Sequence, residues 1–278
     1  MDPRDTTRDT AAAWAVMLAV GASIVAAFVG SGALGGTPIQ DAADGWLSAD
    51  GTPLAPGTRA FSIWSVIYTG LAAYAVVQLL PSRRTDERHR SLRPWAAASA
   101  VLNAGWIWVV QAGWLALSVV VIVALLAVLA RILVLLMARP VGSALDAVVA
   151  DGTFGLYLGW VSVATVANTA AWLGASGFRA FGVPVDTAAS IVLAVAAGVG
   201  LLLALYTSGR FAPAAALVWG LAWIAVGRLD GGTESVPIAW AAGIASAVVL
   251  LGTLAARFLI HTPRRRSPGR GVAEGVAP

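Results

Sequence analysis

Cysteine is absent from this 278-residue chain, which excludes disulfides, thiolate metal sites and cysteine nucleophiles. Lysine is absent too, so all 18 basic side chains are arginines. Charged residues make up 12% of the chain and hydrophobic residues 59%. In soluble domains about 25% of the residues are charged and about 45–50% are apolar. With a mean hydropathy of +0.81, the composition predicts an integral membrane protein.

Apolar runs of about 17–25 residues, long enough to cross a bilayer, occur along the whole chain. We therefore predict an all-α, polytopic transmembrane helical bundle of about eight spans. The spans cover approximately residues 11–33, 60–80, 94–112, 114–137, 152–175, 186–208, 211–228 and 236–260. The first run exceeds the roughly 7–15 residues of a secretory signal core, so we expect it to be retained.

The arginines give the orientation of the predicted bundle. Most lie in the connections after the second, fourth and sixth helices or in the C-terminal tail: Arg83, Arg84, Arg88, Arg90, Arg93, Arg139, Arg210, Arg264, Arg265, Arg266 and Arg270. The positive-inside rule makes that side cytoplasmic. We predict a protein of the bacterial plasma membrane with both termini in the cytoplasm. Topology accounts for the basic charge, so no nucleic-acid partner is predicted.

Arg131 is the charge well inside a predicted span, near the cytoplasmic end of the fourth helix, from where it can snorkel to the interface. No Asp or Glu lies deep in any of the predicted spans. The carboxylates closest to them, Asp151 and Asp186, lie at helix starts. Carriers coupled to protons or cations usually place such a group within the membrane, so the sequence argues against that mechanism.

His89 lies in the basic inner connection and His261 at the end of the last predicted helix, so we expect neither to face the bundle interior. We predict interfacial histidines rather than haem ligation or a metal site. No acid, base or nucleophile suggests turnover, so we predict that the protein is not an enzyme.

Aromatic and amide side chains recur at helical spacing on three predicted helices. They are Trp64 and Tyr68 on the second helix, Asn103 and Trp106 on the third, and Trp160, Thr165, Asn168 and Trp172 on the fifth. Residues three and four apart share a helix face. Indole rings for stacking and amides for a polar edge predict a pocket for a flat, amphipathic ligand. Interfacial anchoring and interhelical bonding are the alternative explanation.

The outer connection from about residue 34 to residue 59 is long and rich in Gly, Pro and Asp. A connection of this length in a compact protein is usually either functional or disordered. We predict a lid or an entrance, with Trp46 as a candidate lid residue.

At these motifs the chain resembles the TspO/MBR family of tryptophan-rich sensory proteins, which are related to the translocator protein. The family's second helix has a Trp followed four residues later by Tyr, as in Trp64 and Tyr68. Its third helix has Leu-Asn with a Trp three residues on, as in Leu102, Asn103 and Trp106. The spacing of Trp, Thr, Asn and Trp on the fifth helix is also similar to the family's.

The resemblance covers roughly residues 11–175 and implies the family's five-helix bundle. The expected organisation is a cytoplasmic segment at 1–10, the TspO-like domain at 11–175, three additional transmembrane helices at 176–260 and a basic, disordered tail at 261–278. The resemblance also implies a ligand such as a porphyrin or haem, with no cofactor required, and the family's common homodimer. Some members are reported to act on bound porphyrin photochemically. Membrane lipid is the other expected partner.

Two other functions stay open on the sequence. The first is a transporter or permease for a small organic or lipophilic substrate, in which the three additional helices complete a path across the membrane. The second is a scaffold that associates through small residues at four-residue spacing, such as Gly243 with Ala247 and Gly252 with Ala256. Internal helix packing also explains that spacing.

Overall fold

The computed structural model of the protein describes residues 3–32, 34–139, 141–230 and 233–261. Within these ranges the chain forms helices and no strand. The long helices are α1 (Pro3–Gly30), α2 (Ile63–Val77), α3 (Glu87–Gln111), α4 (Leu115–Ala138), α5 (Thr153–Ala175), α6 (Val185–Tyr206), α7 (Phe211–Gly227) and α8 (Val236–His261). A long helix therefore occupies each predicted position.

Shorter helical segments lie in the connections. They are 3₁₀ turns at Ala43–Gly45, Thr58–Ser62 and Ala180–Gly182, α-helical turns at Pro81–Arg84 and Ala144–Asp146, and a π-helical segment at Ala147–Gly152 that leads into α5. The joint between α3 and α4 contains Gly113 with φ +74°, a left-handed conformation that glycine adopts without strain.

Six helical stretches of the described chain are long and apolar enough to cross a membrane by length and composition. They belong to α1, α2, α4, α5, α6 and α8. The seventeen-residue α7 is a shorter apolar helix, and α3 begins with a charged stretch. The prediction of an all-α bundle with membrane-spanning helices is confirmed, whereas the number of eight spans and the orientation stay predictions.

Two helices begin earlier than the predicted spans. α3 begins at Glu87 because the carboxylate of Asp86 accepts hydrogen bonds from the backbone N–H groups of Arg88 (2.8 Å) and His89 (3.1 Å). α1 begins at Pro3, so most of the predicted N-terminal segment is helical. A search for apolar runs cannot detect charged helix starts. The predicted tail at 261–278 lies outside the described residues, except for residue 261.

The bundle has two hydrophobic cores that share α5. The first core is built mainly from α1 to α5, with Ala216 of α7, and the second from α5 to α8 together with Leu54. Glycines let α5 and α7 approach closely: a β-carbon on Gly155 would lie 2.8 Å from that of Ala212, and one on Gly159 would overlap the carbonyl oxygen of Pro213. Such small residues four apart are a common means of packing membrane helices.

Paired charges hold together the arginine-rich end of the bundle, which comprises residues 78–93, 141–152 and 207–210. Arg83 Nε donates to Asp146 Oδ1 at 2.9 Å, and His89 Nε2 lies 3.3 Å from the same oxygen. The His89 ring is 1% exposed and stacks on Tyr74 with centroids 6.0 Å apart. The expectation that His89 lies away from the bundle interior was therefore wrong, because its carboxylate partner and aromatic neighbour accommodate it inside.

His89 makes the stability of the fold depend on pH. Burial lowers the pKa of His89, outweighing the attraction of Asp146 and Asp86, while Arg88 lowers it further. Its Nδ1 is buried without a hydrogen-bond partner, so a proton added there would be an unsatisfied donor. The unfolded chain takes up this proton near pH 6.5 and the folded chain only at lower pH. Stability is therefore complete above about pH 6.5 and falls as the pH drops below it.

We expect the thermal unfolding midpoint in detergent to fall between about pH 7 and pH 5, and His89→Gln to flatten this dependence. Arg139→Gln is a control at the same end of the bundle, because that side chain is half-buried and does not contact the imidazole. A pH dependence that is equally steep in His89→Gln would contradict the assignment.

Candidate functional site

A cleft of about 430 Å³ opens between α1, α2 and α3, at the end of the bundle opposite the arginine-rich end. The connection after α1 covers it with Pro38, Ile39 and Gln40. Its other lining residues are Ile24, Ala27, Phe28, Ser31, Thr58, Phe61, Trp64, Ser65, Tyr68, Trp106 and Ile107. The cleft thus combines aromatic rings with a few hydroxyl groups and one amide.

The rings of Trp64 and Tyr68 form a continuous aromatic wall. They stack with centroids 5.2 Å apart and an interplanar angle of 22°. Asn103 Nδ2 donates a hydrogen bond of 2.9 Å to the Tyr68 hydroxyl. Trp160 supports Trp64 edge-on, with centroids 6.3 Å apart at 86°. Contacts from α3 and α5 therefore fix the orientation of the wall.

A hydrogen-bond chain holds Trp106 in place. Its Nε1 donates to Asn168 Oδ1 at 2.7 Å. Asn168 Nδ2 in turn donates to Ser118 Oγ at 2.8 Å, and the Ser118 hydroxyl donates to the carbonyl of Leu115 at 2.7 Å. The chain joins α3, α5 and α4, so the amide of Asn168 positions the Trp106 ring.

A small cavity of about 20 Å³ adjoins the cleft and shares Phe61, Trp64 and Trp106 with it. Asn103 and Trp160 also line this cavity. Asn103 Oδ1, an acceptor, and Trp160 Nε1, a donor, are both buried without a hydrogen-bond partner. The volume suits one water-sized group. The lining residues of the cavity therefore include one unpartnered acceptor and one unpartnered donor.

Two residues of the predicted site lie elsewhere. Thr165 faces a separate groove beside α6 and α7, and its hydroxyl donates to the carbonyl of Val161 at 2.7 Å. Trp172 is half-buried one turn beyond Asn168, near the end of α5. Helical spacing predicted that these side chains lie on or near the face of α5 that carries Trp160 and Asn168. It could not show which neighbouring helix each face of α5 contacts.

The predicted lid residue Trp46 packs against the end of α5. A β-carbon on Gly174 would lie 2.7 Å from Cζ3 of the Trp46 ring. The residues of the connection that border the cleft are instead Pro38, Ile39, Gln40 and Thr58. No spacing rule predicts them, because a loop reaches its partners without helical periodicity. Phe61 was also missed, although it lies one turn before Trp64 in the same aromatic run.

Three anchors hold the covering connection. At its start, Gln111 Nε2 donates to the carbonyls of Gly30 and Thr37, both at 2.7 Å. Further along, the buried guanidinium of Arg228 donates to backbone carbonyls of the loop: those of Ala49 at 2.6 Å and Thr52 at 3.1 Å.

The third anchor is at the loop's other end. There the Gly57 N–H donates to the carbonyl of Trp223 at 3.0 Å. The segment over the cleft lies between anchors on α3 and anchors at the end of α7.

The cleft can stack a planar molecule and hydrogen-bond its edge. Its lining residues include no imidazole or carboxylate, and His89 lies at the other end of the bundle. In the described part of the chain, no group of three or more His, Asp or Glu side chains could hold a metal ion.

The chain matches the model of a known protein family. The family model described as TSPO-like protein matches residues 13–255. This range extends from α1 into α8 and so includes the cleft and the helices that support it. Neither the curated proteins nor the solved structures give a significant match.

Proposed function

Because the chain belongs to the TSPO-like protein family, we propose that it binds a flat, amphipathic small molecule such as a porphyrin or haem in the cleft. The observation that carries this proposal is the stacked wall of Trp64 and Tyr68 inside an apolar bundle. Offset stacking on an aromatic face contributes about 0.5–1.5 kcal/mol beyond the burial of area. The role is that of a binding or sensory protein, and catalysis is not part of the proposal.

Size and chemistry support this class of ligand. The cleft volume of about 430 Å³ falls within the range of about 300–1,000 Å³ that is usual for small-molecule sites. The macrocycle would lie against Trp64 and Trp106, while polar substituents would meet the polar lining residues Gln40 and Ser31. Since the lining residues provide no histidine for an iron, a metal-free porphyrin is the sharper probe.

The direct test is a titration of the purified protein in detergent with protoporphyrin, following tryptophan fluorescence and porphyrin absorbance together. Saturable quenching with a matching absorbance change supports the proposal. A signal that rises linearly with porphyrin and never saturates would indicate partition into the detergent micelle and would overturn it.

A side chain that fills the cleft should block the ligand. We expect Ser65→Phe to raise the dissociation constant for protoporphyrin at least tenfold, because Ser65 lines the cleft and a phenyl ring there would occupy the stacking space. A tenfold change corresponds to about 1.4 kcal/mol. Val66→Phe is the matched control, since Val66 is 56% exposed and does not line the cleft. Equal affinities in the two variants would contradict the assignment of the site.

Transport remains the alternative, and we propose binding ahead of it for a structural reason. Fully buried side chains of the first core, among them Ile67, Leu71 and Tyr157, lie between the cleft and the arginine-rich end. Porphyrin flux into liposomes that contain the protein separates the two functions. Saturable binding without flux supports the binding protein, whereas protein-dependent flux supports the transporter.

A further inference from the structure

The connection between α5 and α6 carries two exposed aromatic rings. It comprises residues 176–184, between Ala175 at the end of α5 and Val185 at the start of α6. Phe178 is 45% exposed and Phe181 is 95% exposed. The two rings pack edge-on against each other, with centroids 5.3 Å apart at 89°. They form an apolar cluster outside both hydrophobic cores, which we call the phenylalanine pair.

The backbone that presents Phe181 is strained. The Gly182 N–H donates to the carbonyl of Arg179 at 2.9 Å, which closes a tight turn. The central residues of this turn, Ala180 and Phe181, have φ of +44° and +56°. Turns with two positive φ values favour Asn and Gly at these positions, because other side chains crowd the backbone there. Strained backbone is often found at functional sites, which singles out the exposed ring of Phe181 as a candidate for binding.

The two flanking helices place the phenylalanine pair at the membrane surface. Both belong to stretches that are long and apolar enough to cross a membrane; one stretch ends at Ala175 and the other begins at Val185. Ser235 Oγ, just before α8, donates to Asp186 Oδ1 at 2.9 Å and so ties the starts of α6 and α8 together. A short connection that is closed by a tight turn cannot extend far from these helix ends. The rings therefore lie at the level of the lipid headgroups.

The charge beside the rings suits a phospholipid surface. Arg179 lies between the two phenylalanines in the sequence, its side chain is exposed, and no ion pair among the described residues involves it. Val183, which is also exposed, adds apolar surface on the other side of the turn. Segments that bind at a membrane interface combine buried rings with basic side chains that reach the phosphates. We propose that this connection is a membrane anchor, in which the phenylalanine pair inserts into the lipid interface and Arg179 meets the lipid phosphates.

A single label can test the insertion because the chain contains no cysteine. Val183→Cys carries a fluorophore beside the phenylalanine pair and keeps both rings. Glu234→Cys carries the same fluorophore at an exposed position of the connection between α7 and α8, at the same end of the bundle. The full chain is reconstituted in phosphatidylcholine liposomes in which some of the lipids bear a nitroxide quencher below the headgroup.

We expect the nitroxide lipids to quench the label of Val183→Cys about threefold more strongly than that of Glu234→Cys, because inserted rings hold the first label near the quencher. Equal quenching at the two positions would overturn the proposal. So would quenching of Val183→Cys that appears only after the protein is diluted with excess lipid, because it would assign the phenylalanine pair to a contact between two copies of the chain.

Removal of the rings tests the anchor itself. Phe178→Ser together with Phe181→Ser, in the Val183→Cys protein, should lower the lipid quenching to the level of the Glu234→Cys label. Leu229→Ser is the matched control, because it removes another exposed apolar side chain at the same end and should leave the quenching unchanged. The unfolding midpoint should stay the same in these variants, since the substituted side chains lie outside the cores. Unchanged quenching without the two rings would overturn the proposal.

Discussion

Trp64→Ala is expected to weaken protoporphyrin binding by about tenfold to a hundredfold, the loss that truncation of a central aromatic contact usually causes. Trp64 provides the face on which the ligand stacks, and it also holds the Tyr68 ring in place. The variant loses both the stacking area and the rigidity of the wall. The measurement is the protoporphyrin titration, with the dissociation constant compared between variants.

Controls separate this effect from a general loss of fold. Trp114→Ala and Trp240→Ala remove indoles that are 62% and 69% exposed, so neither should change the affinity. Trp64→Phe keeps an aromatic face and should recover part of the binding. If Trp64→Ala binds protoporphyrin as tightly as the unmodified protein does, the ligand does not stack on this wall and the cleft is not its site.

Helical spacing predicted those parts of the site that depend on neighbours along one helix. Trp64 and Tyr68, four residues apart, stack in the structure as their shared face requires. Asn103 and Trp106 share a face as well, yet they bond to different helices: Asn103 to Tyr68 and Trp106 to Asn168. A one-dimensional pattern shows which residues can point together but not which helix each one meets.

Other features could not be predicted because they depend on contacts distant in the sequence. Trp160 was expected in the pocket, but it is 1% exposed and supports the wall from behind. Arg228 ends the seventh predicted span, and nothing local indicates that it is buried against carbonyls near residue 50. The π-helical segment before α5 likewise has no signature in an apolar run.

The packing of α7 on α5 leads to a second large expected effect. We expect Gly159→Val to lower the unfolding midpoint by roughly 5–10 °C, which corresponds to about 2–3 kcal/mol of overpacking. A β-carbon at this position would overlap the Pro213 carbonyl oxygen and lie 3.0 Å from the backbone nitrogen of Leu217, and backbone atoms of a helix cannot move aside cheaply. Gly198→Val is the control, because a β-carbon there meets nothing within 4 Å.

The same variant tests whether the last three helices serve the cleft. α7 carries the Trp223 carbonyl that binds the Gly57 N–H, and it ends beside Arg228, which holds the loop near residue 50. If α7 moves away from α5, these anchors move with it and the segment over the cleft loosens. Gly159→Val should therefore weaken protoporphyrin binding at temperatures where the protein is still folded. Loss of thermal stability with unchanged affinity would show that the cover of the cleft does not depend on the close packing of α7 on α5.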